Sequence, residues 1–212
     1  MRLMLNGEEL IVEGLNNDAT LGDVIKVVET RFLPKGHVIT IIKVNDDEIS
    51  HEAEMELMPE SLSGIRSLEI NSADPMMLAA EGIKDAQDYI KKLIIGVGEA
   101  LSHYRTMNIQ DGGSIMVKIV EGLNWFTQIV SRSEPYLHID YASYHYQGKT
   151  LTQQFGSLHQ TIMQMSEAQS RNDWVLLADL LEYELVPILQ IWEGILPVLE
   201  QRSAAHQVSR PS

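Results

Sequence analysis

The chain has no cysteine among its 212 residues. That excludes disulfides, thiolate catalysis, cysteine-ligated zinc and iron–sulfur clusters. It also fits a reducing, cytoplasmic setting. Aromatic residues are scarce, at 6%. No run of about 18 apolar residues occurs. The nearest, LVPILQIWEGILPVLE, is interrupted by Gln190 and Glu193, so no membrane span is expected. The first residues, MRLMLNGEEL, lack the apolar stretch of a signal peptide. Positive charge is short as well: 16 Lys and Arg stand against 30 Asp and Glu, a formal net charge of −14. Residues 1–72 hold 6 basic and 14 acidic residues, and residues 73–212 hold 10 and 16. Such a surface repels phosphate backbones and anionic lipid, which argues against nucleic acid and membranes as partners.

Catalytic motifs are missing too. GVGEA (96–100) contains Gly-x-Gly, but it sits inside a helical pattern with no strand before it, so it is no dinucleotide loop. Gly96 and Gly98 are expected to permit close helix approach. There is no P-loop, no Gly-x-Ser-x-Gly and no nucleophile–base pair. Residues 46–60 lack the spacing of a calcium loop and read as a solvated acidic loop. Glu48 and His51 have the Glu-x-x-His form, yet a di-iron bundle needs two such motifs on helices and two further Glu. No cofactor and no resident metal is expected, and the chain reads as a non-enzyme.

What is present falls into two parts. In residues 1–72, RLML and ELIVEG are short β-type runs joined across Asn6-Gly7, a pair that tolerates the positive φ of a type I′ turn. Thr20 and Asp23 form a capping box ahead of a helical stripe of Leu21, Val24, Ile25, Val28 and Phe32, and Pro34 and Gly36 end it. HVITIIKVNDDEIS is a β-branched run with a turn and a short return, and IRSLEIN (65–71) is the last strand. The order hairpin, helix, strand, irregular stretch, strand resembles a ubiquitin-like β-grasp fold. Members of that group that form thioesters end in a free Gly-Gly. Here the strand runs on into NSADPMMLAAEG, so the resemblance implies a binding module rather than a carrier.

At Asp74-Pro75 the apolar period lengthens, with Asp74 a good N-cap and Pro75 suited to the first helical position. Ile83, Ile90, Val97 and Tyr104 recur every seven residues, interleaved by Ala86, Leu93 and Ala100, over a helix of 75–107. NIQDGG breaks it. Ile115, Ile119, Leu123, Phe126 and Val130 mark a second helix over 111–131. A link, 132–148, precedes a third helix carrying Leu151, Phe155, Leu158, Ile162 and Met165. SRND (170–173) turns into a fourth, NDWVLLADLLEYELVPILQIWEGILPVLEQ (172–201). The expected class is therefore α+β: a β-grasp domain at 1–72, an antiparallel four-helix bundle at 74–202, and a disordered tail at 203–212.

On a wheel of about 100° per residue, the fourth helix gathers Trp174, Leu177, Leu181, Leu185, Ile188, Trp192, Ile195 and Leu199 on one face. Asp179 and Glu182 fall on the solvent side and its flank, with too few ligands between them for a hard cation. Glu184 lies at the edge of the apolar stripe. A carboxylate there needs a partner, either a basic or hydroxyl group on a neighbouring helix or a polar contact in a groove that receives another protein. Pro187 and Pro197 fall on or near the polar face, so the helix is expected to bend rather than break.

The link SEPYLHIDYASYHYQGK concentrates Tyr136, Tyr141, Tyr144 and Tyr146 with His138 and His145. Tyrosine joins a broad apolar body to a hydroxyl, which suits interfaces. Three readings are open: a crossover packing its aromatics over the bundle end, a surface that touches a protein partner, or a metal site of His138, Asp140 and His145. The stretch DWVLLADLLEYELVPIL resembles uncharacterised bacterial helical-domain proteins, and the small acidic bundle resembles flagellar or secretion export chaperones. That resemblance implies helix-in-groove binding of a secreted subunit. The function expected is an adaptor or chaperone-like module holding a segment of an unidentified protein partner. The alternatives are a self-associating structural protein, with a homodimer as its simplest form, and a small-ligand or metal-binding protein using the Tyr/His-rich link.

Overall fold

A computed structural model describes residues 1–12 and 18–208, and the chain divides between Leu78 and Ala79 into two compact units. The first contains β1 (Arg2–Leu5), β2 (Glu8–Glu9), α1 (Leu21–Arg31), β3 (Val38–Val44), β4 (Asp47–Glu48), α2 (His51–Leu57), a 3₁₀ turn (Leu62–Gly64) and β5 (Ser67–Ala73). The strands form one mixed sheet in the order β2-β1-β5-β3-β4. β1 runs parallel to β5, with Leu3 opposite Leu68 and Leu5 opposite Ile70, and β3 runs antiparallel to β5.

Alternation explains the core of this unit. Leu3, Ile42, Leu68 and Ile70 point to one face, and Leu21, Val24, Ile25 and Val28 of α1 close over it. Asn6 and Gly7 turn the first hairpin at φ of 52° and 83°, as their identity predicts. Thr20 and Asp23 form the capping box, the Asp23 carboxylate accepting from the Thr20 N–H at 3.0 Å. The Asn45 side chain accepts from the Arg66 N–H at 2.7 Å, which pins the second hairpin to the start of β5.

Two expectations need correction here. Residues within 46–60 are not simply a loop: Ser50 accepts from the Ala53 N–H and starts α2. The second strand is only Glu8–Glu9, and Ile11 beyond it is 80% exposed. Residues 13 and 14 of the run ELIVEG lie outside the described residues.

The second unit is mostly helical. It contains α3 (Pro75–Arg105) from Ala79 on, α4 (Ile109–Leu137), a two-stranded ribbon of β6 (His145–Tyr146) and β7 (Lys149–Thr150), α5 (Leu151–Ser170), α6 (Trp174–Leu180), a π turn (Leu181–Leu185) and α7 (Val186–Val208). All seven seam residues expected on α3 are buried, and one apolar core takes side chains from all of these helices.

Glycines report how α3 and α4 lie. A Cβ at Gly82 would meet Ile129 at 3.1 Å, one at Gly122 would meet Leu93 at 2.8 Å and Tyr89 at 2.9 Å, and one at Gly112 would meet Tyr104 at 3.2 Å. Partner numbers fall as glycine numbers rise, so the two helices are antiparallel. The close approach expected at Gly96 and Gly98 is instead at Gly122: Gly96 is at ordinary contact distance from Ile119, and nothing lies within 4 Å of a Cβ at Gly98. Gly112 and Gly113 do not break the pattern either. The turn is shorter, with Met107 at φ 57°, and α4 has already begun at Ile109.

α4 also runs past the expected Ser131 to Leu137, carrying Pro135 inside it. α6, the π turn and α7 follow one another without a loop, so Pro187 and Pro197 do not divide the fourth stretch. Its wheel is largely right, since Leu177, Leu181, Leu185, Ile188, Trp192, Ile195 and Leu199 are all buried. The helix continues through residues 203–208, and 209–212 lie outside the described residues.

Gly122→Val is expected to lower stability by about 1–3 kcal/mol, because its side chain has to displace Tyr89 and Leu93. Gly98→Ala is expected to raise it by about 0.5–1 kcal/mol, since a helical glycine with open space around it only loses entropy. Thermal melts of both variants by circular dichroism check this pair.

Candidate functional site

The Tyr/His-rich link is tied down along its length. His138 ends α4 in the left-handed region at φ 52°. Asp140 then organises a turn: its carboxylate accepts from the Ala142 N–H at 2.9 Å, and its carbonyl accepts from the Ser143 and Tyr144 N–H groups. The hydrogen bond from Ser143 and that from Ala142 hold the Asp140 carboxyl below the usual carboxylate range. Gln147 and Gly148, at φ 49° and 83°, close the β6–β7 ribbon. Thr150 starts α5 with a capping box to Gln153.

The tyrosines face inward more than outward. Tyr141 is 3% exposed. Its hydroxyl donates to the Val130 carbonyl at 3.0 Å, and its N–H donates to the Glu134 carboxylate at 2.9 Å. Burial, with the Glu134 charge adding to it, pushes the Tyr141 phenol above its ordinary range. Its ring stacks on Phe155, with centroids 6.1 Å apart. The Tyr146 hydroxyl rests against Gly194 on α7, where a Cβ would leave it no room. Tyr144 is half-buried beneath the Arg202 guanidinium, 4.8 Å from the ring centroid.

Of the seven residues singled out by sequence, Tyr136, His138, His145 and Glu184 are exposed, Tyr144 and Tyr146 are half-buried, and Tyr141 is buried. Tyr141 therefore offers nothing to a partner; it is part of the core. The aromatics pack over the helices, as the first of the three readings has it. His138, Asp140 and His145 do not converge, and among the described residues no three His, Asp or Glu side chains form a metal-holding group. The His145 Nδ1 instead lies 2.8 Å from the Ser143 carbonyl.

Glu184 is not a boundary residue. It is exposed, and the π turn explains the difference. One wide turn shifts the helical phase that a uniform wheel assumes. The acid that finds a basic partner is Glu182, which pairs with Arg105 of α3.

A surface that the sequence did not mark lies along the antiparallel α3–α4 pair. Leu93, Gly96, Ile115 and Ile119 floor a groove of about 210 Å³. Lys92 and Lys118 line it, one from each helix, and Glu99 stands with them. Among the described residues neither lysine makes an ion pair. Tyr89 extends the lining to Trp125, the two rings meeting edge to face at 4.9 Å. Trp125 is 38% exposed, and Ile95, one helical turn along from Lys92, is 63% exposed. The volume is below the roughly 300–1,000 Å³ of small-molecule sites.

Sequence reasoning missed this groove because Lys92 and Lys118 are 26 positions apart, and only the antiparallel register brings them to one place. The usable signal was the pair of lysines flanking apolar seams in a chain short of positive charge. Among the described residues, no helix is long and apolar enough to cross a membrane.

The chain belongs to the family described as domain of unknown function DUF8042, which matches residues 81–195. Residues 1–74 match the family described as the TP0873 N-terminal domain. No curated protein matches the chain. No solved structure matches it either.

Tyr141→Phe tests the link as a structural cap. It removes the hydroxyl's bond to the Val130 carbonyl and is expected to cost about 0.5–1.5 kcal/mol at neutral pH. It also changes the alkaline limb. The unfolded phenol ionises near pH 10 while the folded one holds its proton longer, so the native protein binds more protons there and loses stability as pH rises above about 10. The variant is expected to show a shallower loss, with Tyr104, whose hydroxyl burial also pushes up, supplying the remainder. Denaturant melts from about pH 8 to about pH 11 measure both effects.

Proposed function

We propose that this member of the DUF8042 family is a non-enzymatic interaction protein that holds an apolar, acid-flanked helix of a partner protein in its α3–α4 groove. The observation that carries this reading is the pair of unpartnered lysines, Lys92 and Lys118, over an apolar floor beside a half-exposed tryptophan. In a chain of net charge −14, two free ammonium groups in one place are a local exception that a carboxylate on the partner would satisfy. Trp125 and Ile95 supply the apolar contact that helix-in-groove recognition uses.

In this reading the N-terminal unit is a ubiquitin-like β-grasp module, supported by its sheet order and the parallel β1–β5 pair. The helical unit is an antiparallel four-helix bundle, supported by the glycine contacts of α3 and α4 and by the shared core. The proposed role is that of a cytoplasmic chaperone or adaptor. Of the link residues, Tyr136, His138 and His145 remain accessible and would extend the contact surface.

The test uses synthetic amphipathic helices of one apolar face and opposite flanking charges, titrated against the full chain by fluorescence anisotropy. Acid-flanked helices are expected to bind at least about tenfold more tightly than lysine-flanked ones, and Lys92→Glu with Lys118→Glu is expected to invert that preference. Equal binding of both series, or a preference that survives the charge reversal, would remove the groove from consideration.

A further inference from the structure

We infer that the exposed face of α5 is where a second copy of this chain packs, with the two α5 helices antiparallel about a two-fold axis. This stands apart from the α3–α4 groove. Among the long helices, α5 is unlike the others in what it shows to solvent. From Thr152 to Ser166 it has no Asp, Glu, Lys or Arg. Its exposed positions include Gly156, His159, Gln160, Met163 and Gln164, and Met163 is 61% exposed. They line a shallow surface depression that runs from His159 to Ser170. Gln164 and Glu167 also border a second depression with Leu176, which is 44% exposed, so the face continues onto α6.

A surface helix normally keeps charged side chains on its solvent face. A hetero-partner could answer charge of one sign with the other. A two-fold axis cannot, because residues near it meet their own copies, and like charges there repel. In a chain of net −14, a face without charge is the place where two copies can touch at least electrostatic cost.

Two further observations agree. Gly156 is exposed in the body of the helix, and a Cβ there would meet nothing within 4 Å. No contact with the described residues requires glycine at this position, whereas a crossing helix could use it for close approach. Charge is confined to the two ends of the neutral stretch. Lys149 lies over the N-terminal end, its Nζ donating to the Ser157 hydroxyl at 3.1 Å, and Glu167 lies at the C-terminal end, 2.5 Å from Arg171. Antiparallel packing sets the lysine end of each copy against the Glu167–Arg171 pair of the other.

The face is modest. A helix of 20 residues is about 30 Å long, and with Leu176 and Val175 the pair would bury roughly 1,000 Å² in all, near the low end for specific association. The expected dimer therefore dissociates in the micromolar range or above.

Sedimentation equilibrium of the full chain, from about 5 to about 500 μM, is expected to show a reversible monomer–dimer equilibrium. Gln160→Glu combined with Met163→Glu is expected to raise the dimer dissociation constant at least about tenfold, with an unchanged circular dichroism spectrum. Gly156→Ala separates folding from association: it is expected to raise the melting temperature, since the added methyl meets nothing, while weakening the dimer. Lys92→Glu, on the other groove, is expected to leave the dimer intact. A chain that stays monomeric over the whole range overturns the inference. So does a dimer indifferent to the α5 substitutions, or one abolished by Lys92→Glu.

Discussion

Trp192 is fully buried on α7 and meets Phe126 of α4 edge to face, with centroids 5.5 Å apart, and Phe155 of α5 at 4.5 Å. Phe155 in turn carries the Tyr141 ring from the link. Three helices and the connection between two of them are therefore positioned by one aromatic cluster in a protein that has few aromatics to spare. Such edge and offset contacts fix relative orientation as well as burying area. The Trp192 Nε1 has no acceptor among the described residues, a cost of about 1–3 kcal/mol that the packing around it must outweigh. A smaller side chain at 192 would leave a cavity shared by α4 and α5, and the link would lose its seat.

The π turn sets the phase of the same helix. The Val186 N–H bonds the Leu181 carbonyl, one residue further back than an α-helix allows. Pro187 follows at once. Proline has no N–H to give and crowds the carbonyl four residues before it, so a widened turn just ahead of it relieves both problems without ending the helix. Leu181 and Leu185 within the turn and Ile188, Leu189 and Trp192 beyond it are all buried. The same shift carries Glu184 outward and leaves Glu182 beside Arg105.

Much of the architecture was legible because it rests on local chemistry. Asn6-Gly7, the Thr20–Asp23 box, the Asp74-Pro75 start and the seven-residue spacing of Ile83, Ile90, Val97 and Tyr104 each act within a few positions, and each appears in the structure. The misreadings depend on partners distant in the chain. Nothing near Gly122 announces that Tyr89 will press on it, and nothing near Gly98 says that its space stays open. Pro135 and the Gly112-Gly113 pair look like helix ends, but tertiary packing overrides those propensities. The tyrosine-rich link left packing over the bundle end and a partner surface both open; a hydroxyl that finds the Val130 carbonyl places Tyr141 in the core. A wheel of constant period could not place Glu184, since it had no means of including a turn of different width.

Surface chemistry then separates what the core cannot. The interior of the helical unit is mostly apolar, with Ser133, Gln154, Thr161 and Ser203 buried among it, and says nothing about partners. Outside it, α3 carries eight charged side chains, whereas α5 carries Glu167 alone. Charge that is present but unpaired, as at Lys92 and Lys118, is an incomplete interaction that a group of opposite sign would complete. Charge that is absent, as along α5, is a surface with no electrostatic preference, which only a like surface meets without loss. The two faces differ in the symmetry each permits. On the two proposals, a groove with a basic middle would select a different molecule, while a neutral helix face would accept its own copy. Neither face borrows residues from the other, so the two proposed relations are compatible in one protein.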